Sequence, residues 1–205
     1  MKNKVLVVDL DGTLFKINTF HYFIRYLLFY SIKNFNIILL FKIAVAIVFR
    51  ILKIITHAKM KYSILKAISA KTDINYNLFV NKISLKKREI ALLHDKSFDV
   101  KILATAAPLC YASIIAENEG FHICLGTNFP VARFNNEFEN IKEIKKNRVV
   151  NYLAKQGVFD IDTFITDHSD DLPLMKIAKQ NAIVAPSNDL KALLKKNQIS
   201  FREIK

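Results

Sequence analysis

Val5-Leu6-Val7-Val8-Asp9-Leu10-Asp11-Gly12-Thr13-Leu14 decides the fold of this 205-residue chain. The unbroken apolar run from Val5 to Val8 has the pattern of a strand buried on both faces, as in a parallel sheet. It ends on two carboxylates at i and i+2, then a glycine and a threonine. In an open α/β sheet, ligands bind at the carboxyl ends of the strands. Two acids projecting from a turn at such an end call for a cation or a proton-transfer task. An Asp-Gly turn that merely leads into a helix has the same local sequence, so the downstream residues must decide.

Phe164-Ile165-Thr166-Asp167-His168-Ser169-Asp170-Asp171-Leu172-Pro173-Leu174-Met175 repeats the arrangement. An apolar strand again ends in acid, and three Asp clustered before a helix are costly unless a cation gathers them. Between the two stretches, Val100 to Thr105 reads as a strand. Ala106-Ala107-Pro108 then leads into a helix over Leu109 to Asn118. A hydroxyl at that strand end, beside free N–H groups, can bond a phosphate oxygen, although threonine at a strand end is otherwise commonplace. Phe121 to Thr127 reads as a short strand and turn, and Phe129 to Glu139 as a hairpin-like excursion with Pro130 and Asn135-Asn136 as turn signals. Ala182 to Pro186 reads as a further core strand and Asp189 to Lys196 as a short helix, with a polar end to the chain.

DLDGTL after an N-terminal apolar strand resembles the first motif of the haloacid dehalogenase superfamily of phosphoryl-transfer enzymes. That resemblance implies an α/β, Rossmann-like parallel sheet with a helical cap inserted between the first and second motifs, as in the phosphoserine-phosphatase-like branch. It makes Asp9 the nucleophile and Asp11 the general acid/base. LATAAP is similar to the second motif and makes Thr105 the phosphate-binding hydroxyl. The third motif, commonly Gly-Glu-x-Lys, is matched by Lys142-Glu143-Ile144-Lys145, with Val149 and Leu153 at the usual apolar offsets. Lys145 is the choice for the phosphate-binding lysine; Lys142, which replaces the usual glycine, and Lys146 are alternatives, and a solvated basic helix face is another. In the fourth motif, Asp167 and Asp171 have the spacing of the pair that binds or orients Mg²⁺. The implied cofactor is Mg²⁺, set among Asp9, the backbone carbonyl of Asp11 and Asp167, with Asp171 completing the metal set. The implied reaction is phosphomonoester hydrolysis through an aspartyl-phosphate.

On this reading residues 1–14 and 96–205 form the catalytic core and 15–95 the cap. The cap region has no glycine or proline from Phe15 to about Leu93 and reads as helices. One runs to about Lys33 from a cap at Asn18-Thr19, a second spans about Phe35 to His57, a third about Lys59 to Ala70, and a fourth about Ile74 to Leu93. On the second helix Lys42, Arg50, Lys53 and His57 fall within an arc of about 80°, the rest being apolar. Three basic residues argue against a spanning helix, which wants about 20 nearly uncharged residues. A basic stripe on an oily helix suits a segment lying in the headgroup plane of an anionic membrane, the reading favoured here; a cap helix packed on its neighbours, its stripe facing solvent or the substrate phosphate, is the alternative. The oily, basic cap is similar to that of bacterial phosphatidylglycerophosphatases of the superfamily, which act on lipid phosphates.

Hydrophobic content of 52% and a formal charge of +13 favour an anionic partner: a phosphorylated small molecule or lipid, or an anionic membrane face. Nucleic acid is excluded for want of any zinc-ligand spacing or binding module. Only Cys110 and Cys124 occur, without paired spacing, which points to a reducing compartment. The apolar run before Asp9 is too short for a signal peptide, which places the catalytic end in the cytoplasm. The expectation is therefore a Mg²⁺-dependent phosphomonoesterase at a membrane surface. A soluble phosphatase for a small metabolite such as phosphoserine, or a membrane-attached binding protein without turnover, are the alternatives.

Overall fold

The computed structural model describes residues 3–204. Six strands, β1 (Val5–Val8), β2 (Val100–Pro108), β3 (Ile123–Thr127), β4 (Ile161–Thr166), β5 (Ala178–Val184) and β6 (Arg202–Ile204), form one sheet in the order 3-2-1-4-5-6. Every neighbouring pair is parallel. The expected Rossmann-like α/β sheet is present.

Alternation along β1 divides the core. Val5 and Val7 join Phe164 and Ile183 in a layer covered by α6 (Lys142–Lys155) and the helix Asn188–Lys196, through Val149, Leu153, Leu190 and Leu194. Leu6 and Val8 face the opposite layer, with Leu103 and Ile165, under α1 (Thr19–Lys33) and α5 (Leu109–Asn118). Both faces of β1 are fully buried, as its uninterrupted apolar sequence requires. Chain order reverses at β1, with β2 on one side and β4 on the other. That topological switch point opens a crevice outside the carboxyl ends of β1 and β4, where Asp9 and Asp167 sit.

Between β1 and β2 lie α1, α2 (Ile37–Ile51), α3 (His57–Ile68) and α4 (Tyr76–Ile83). Asn18 caps α1 by accepting from the His21 N–H, as its sequence anticipates. Phe23, Phe79 and Tyr111 meet at ring-centroid distances of 4.9–5.1 Å and bind α1 and α4 to α5.

Several expectations for this region are corrected. The second helix ends at Ile51 and not His57. Lys53 turns the chain with a positive φ of 57°, so Lys53 and His57 are not on the helical stripe with Lys42 and Arg50. His57 instead opens α3, capped by Thr56. The fourth helix stops at Ile83 and is followed by 3-10 turns at Ser84–Lys86 and Ala91–His94. No hairpin forms over Phe129 to Glu139 among the described residues; Phe134 and Phe138 pack edge-on against Tyr62 of α3. The polar end contributes β6, an edge strand absent from the sequence reading.

Candidate active site

Asp9 follows β1 directly, its N–H donating to the Ile165 carbonyl of the neighbouring strand at 2.9 Å. The chain then turns sharply. Gly12 has φ +79°, and a Cβ there would lie 2.1 Å from Asp167 Oδ2. Glycine is thus required both by backbone conformation and by the approach of the second acidic strand end. Thr13 Oγ1 donates to Asp167 Oδ1 at 2.9 Å, tying the two ends together. Asp11 accepts the backbone N–H of Thr19 at 2.7 Å, so the first turn of α1 fixes its carboxylate.

Lys145, buried on α6, reaches Asp9 Oδ1 at 2.9 Å and Asp171 Oδ1 at 2.6 Å. Asp171 Oδ2 accepts from Thr166 Oγ1 at 2.7 Å. Lys142 and Lys146, the other candidates, lie elsewhere: Lys142 is exposed and 3.6 Å from Asp170, and Lys146 pairs with Glu143. Lys142 also adopts φ +52°, the left-handed backbone that suits glycine.

At the end of β2 the register against β3 shifts between Ala104 and Pro108. Such an irregularity re-aims a side chain, and here it falls on Thr105. The Thr105 hydroxyl accepts the Ala107 N–H at 3.0 Å, leaving its own proton to donate. Asn140 braces this turn from below, donating to the carbonyls of Thr105 at 3.0 Å and Leu125 at 2.7 Å.

All six residues singled out in the sequence, Asp9, Asp11, Thr105, Lys145, Asp167 and Asp171, line one cavity of about 590 Å³. Sequence reasoning missed His57, Lys61 and Glu139 in the same lining. Their only signal was a lysine and a histidine at the start of an otherwise ordinary helix, because the partner carboxylate comes from 78 residues away from Lys61.

The electrostatics have one main cause, the burial of the carboxylates away from water. Burial raises the Asp9 carboxyl, the Lys145 ammonium opposes that, and the charges of Asp171 and Asp11 add to the rise. Asp11 and Asp167 are also raised, chiefly by burial, with hydrogen bonds from Thr19 and Thr13 acting against it. Burial alone would lower Lys145, yet Asp171 and Asp9 together drive it upward. One ammonium shared by two carboxylates is held firmly, and the carboxylates remain short of positive charge.

Hard oxygen donors short of positive charge suit Mg²⁺, which ordinarily uses one or two carboxylates with waters and phosphate oxygens. Among the described residues no three acidic, His or Cys side chains form a group that could hold a metal ion by themselves. Asp9 and Asp167, at the two acidic strand ends lining the cavity, are the carboxylates that could hold such an ion. Asp171, expected in the metal set, has one oxygen on Lys145 and the other on Thr166.

The haloacid dehalogenase-like hydrolase family model matches residues 6–176. No curated protein matches the chain in sequence. A Bordetella pertussis Tohama I protein of unknown function is similar in structure, with TM-score 0.76 at 17% identity, covering 100% of this chain and 99% of its own. A phosphoserine phosphatase solved as a phospho-aspartyl intermediate analogue has TM-score 0.59 at 14% identity, covering 100% and 95%. A phosphoserine phosphohydrolase-like protein from Francisella tularensis subsp. tularensis SCHU S4 has TM-score 0.54 at 16% identity, covering 98% and 94%. The acidic strand ends at the switch point and the family match over most of the chain agree: this protein belongs to the haloacid dehalogenase-like hydrolases and shares the fold of the phosphoserine phosphatases.

Proposed function

We propose that the protein is a Mg²⁺-dependent phosphomonoester hydrolase that works through Asp9. The observation carrying this reading is the buried Asp9 carboxylate held at 2.9 Å by Lys145 beside a second acidic strand end. Asp9 attacks phosphorus in line as the bond to the leaving alcohol oxygen breaks. Asp11, steadied by the first turn of α1, gives its proton to that oxygen. Its raised pKa, caused mainly by burial, suits a group that must carry a proton before the step. The Asp11 carboxylate then takes a proton from the water that attacks the aspartyl-phosphate, which releases phosphate and restores Asp9. Thr105 donates to a phosphoryl oxygen and Lys145 offsets the charge on another. Asp171 and Thr166 orient Lys145. Asp9 and Asp167 would hold Mg²⁺, which would supply charge neutralisation and alignment of the phosphate. Hydrolysis of p-nitrophenyl phosphate with Mg²⁺, lost in Asp9→Asn, tests the reading; equal activity in that variant refutes it.

Residues 1–14 and 96–205 serve as the catalytic core and 15–95 as its cap. The outer face of that cap favours a substrate presented on an anionic membrane. Phe35, Ile37, Phe41 and Ile51 are 89%, 74%, 68% and 71% exposed, far more apolar surface than a solvated helix ordinarily shows. Ten Lys and Arg and no Asp or Glu occur between Asp11 and Asp73, a charge balance complementary to anionic lipid. No helix of the described residues is long and apolar enough to cross a membrane; the apolar face would instead lie along a membrane surface as a peripheral contact. The loop after α2 runs from this face through Leu52 and Ile54, both exposed, to His57 in the cavity. Sedimentation with phosphatidylglycerol vesicles, lost on Ile38→Asp with Phe41→Asp, tests the contact. Absence of binding refutes it, as does a dimer that those changes dissolve.

A further inference from the structure

Three side chains of the cavity take no part in the phosphoryl chemistry above. Glu139, in the connection before α6, is buried and paired with Lys61 of α3. Lys61 is itself buried and donates to the Ala106 carbonyl at 2.9 Å. Nδ1 of His57, at the start of α3, faces Glu139 Oε1 at 3.5 Å. Phe20 packs edge-on against the imidazole at 5.8 Å, and the side chain remains 36% exposed. Burial alone would raise Glu139, but His57 and Lys61 hold it down at about 2.

We propose that this wall reads a second anionic group on the alcohol portion of the substrate, with His57 as the contacting residue and Glu139 as its positioning residue. The inference rests on the phosphomonoesterase reading and narrows its substrate to phosphomonoesters that carry another phosphate or a carboxylate. Charge accounting in the cavity supports it. Asp9, Asp11, Asp167 and Asp171 belong to the phosphoryl end, and Asp170 lies beside Lys142 and His168. Glu139 is committed to Lys61 and His57. Among the described residues that line the cavity, only Asp170 is left to meet a substrate ammonium, and it already faces Lys142 and His168. Donors remain for an anion: Lys16 lines the cavity with its side chain exposed. His57 turns Nδ1 to Glu139, which leaves Nε2 to meet the anion. A cavity of about 590 Å³ leaves room for that group beyond the phosphoryl end.

Calorimetric binding to Asp9→Asn, which has no nucleophile, separates this claim from turnover. With Mg²⁺ present, 3-phosphoglycerate should bind roughly tenfold tighter than phosphoethanolamine, the size of one charge-assisted hydrogen bond. Adding His57→Gln should bring the two affinities close together, and Lys16→Gln, on an exposed side chain that does not bear on folding, should lower the ratio as well. Equal affinities in Asp9→Asn overturn the proposal, as does a ratio unchanged by both added substitutions. Failure of the unsubstituted chain to hydrolyse either compound counts against the phosphomonoesterase reading, while the binding ratio still decides this one.

Discussion

Replacing Lys145 with methionine keeps the nucleophile and removes the cation that balances it. Asp9 and Asp171 are 6% and 2% exposed, so neither carboxylate can recruit bulk water in place of the ammonium. Breaking a buried pair in this way costs about 3–5 kcal/mol, because a charge is left without compensation. In a chain of this size each kcal/mol is worth about 2–4 °C of Tm, so a fall of roughly 6–20 °C is expected at neutral pH. The pH dependence gives the loss its signature. The Asp9 carboxyl already lies above its usual value of 3.8, and Lys145→Met removes its main opposing influence. The folded variant then binds a proton that the unfolded chain does not. Relative to the parent, whose Asp9 carboxyl lies at about 8, this part of the deficit is full above the variant's still higher folded pKa and shrinks as pH falls through about 8. Thermal unfolding followed by circular dichroism between pH 7 and pH 10, in metal-free buffer, reads both effects. Adding Asp171→Asn should recover part of the loss at pH 8. A variant as stable as the parent at pH 8, or a deficit independent of pH, would refute the reasoning.

Gly12→Ala is expected to lower kcat by about 100-fold or more with the fold retained, since its Cβ displaces the Asp167 carboxylate; circular dichroism and steady-state kinetics check the two halves separately. Lys142→Gly should raise stability by about 1 kcal/mol in urea unfolding, by relieving a left-handed backbone. Glu139 has a folded pKa of about 2 against the usual 4.5, a lowered value. Its contribution, on the order of 3 kcal/mol, is therefore present above pH 4.5 and lost as pH falls toward 2; Glu139→Gln should flatten the stability profile across that window.

What could be read from the sequence was local. The run Val5 to Val8 with Asp9 and Asp11, and the run ending at Asp167, carry their strand, turn and acid in a few adjacent residues. Lys145 could be singled out over its neighbours because Val149 and Leu153 fix the buried face of α6. The end of α2 was hidden because the apolar pattern continues through Leu52, Ile54 and Ile55 while Lys53, not a glycine, makes the turn. β6 went unread because a short polar edge strand leaves no periodicity. The Glu139, Lys61 and His57 cluster joins two distant segments, and only tertiary packing brings them together.

The central claim is that the Asp9 side chain becomes esterified during turnover. Acid-quenching the Mg²⁺-loaded protein during hydrolysis of a radiolabelled phosphomonoester, followed by peptide mass spectrometry, tests it most directly. A hydroxylamine-labile phosphoryl group is expected on the peptide containing Asp9, absent from Asp9→Asn. Steady turnover with the label on another residue, or with no labelled peptide at any quench time, would contradict it.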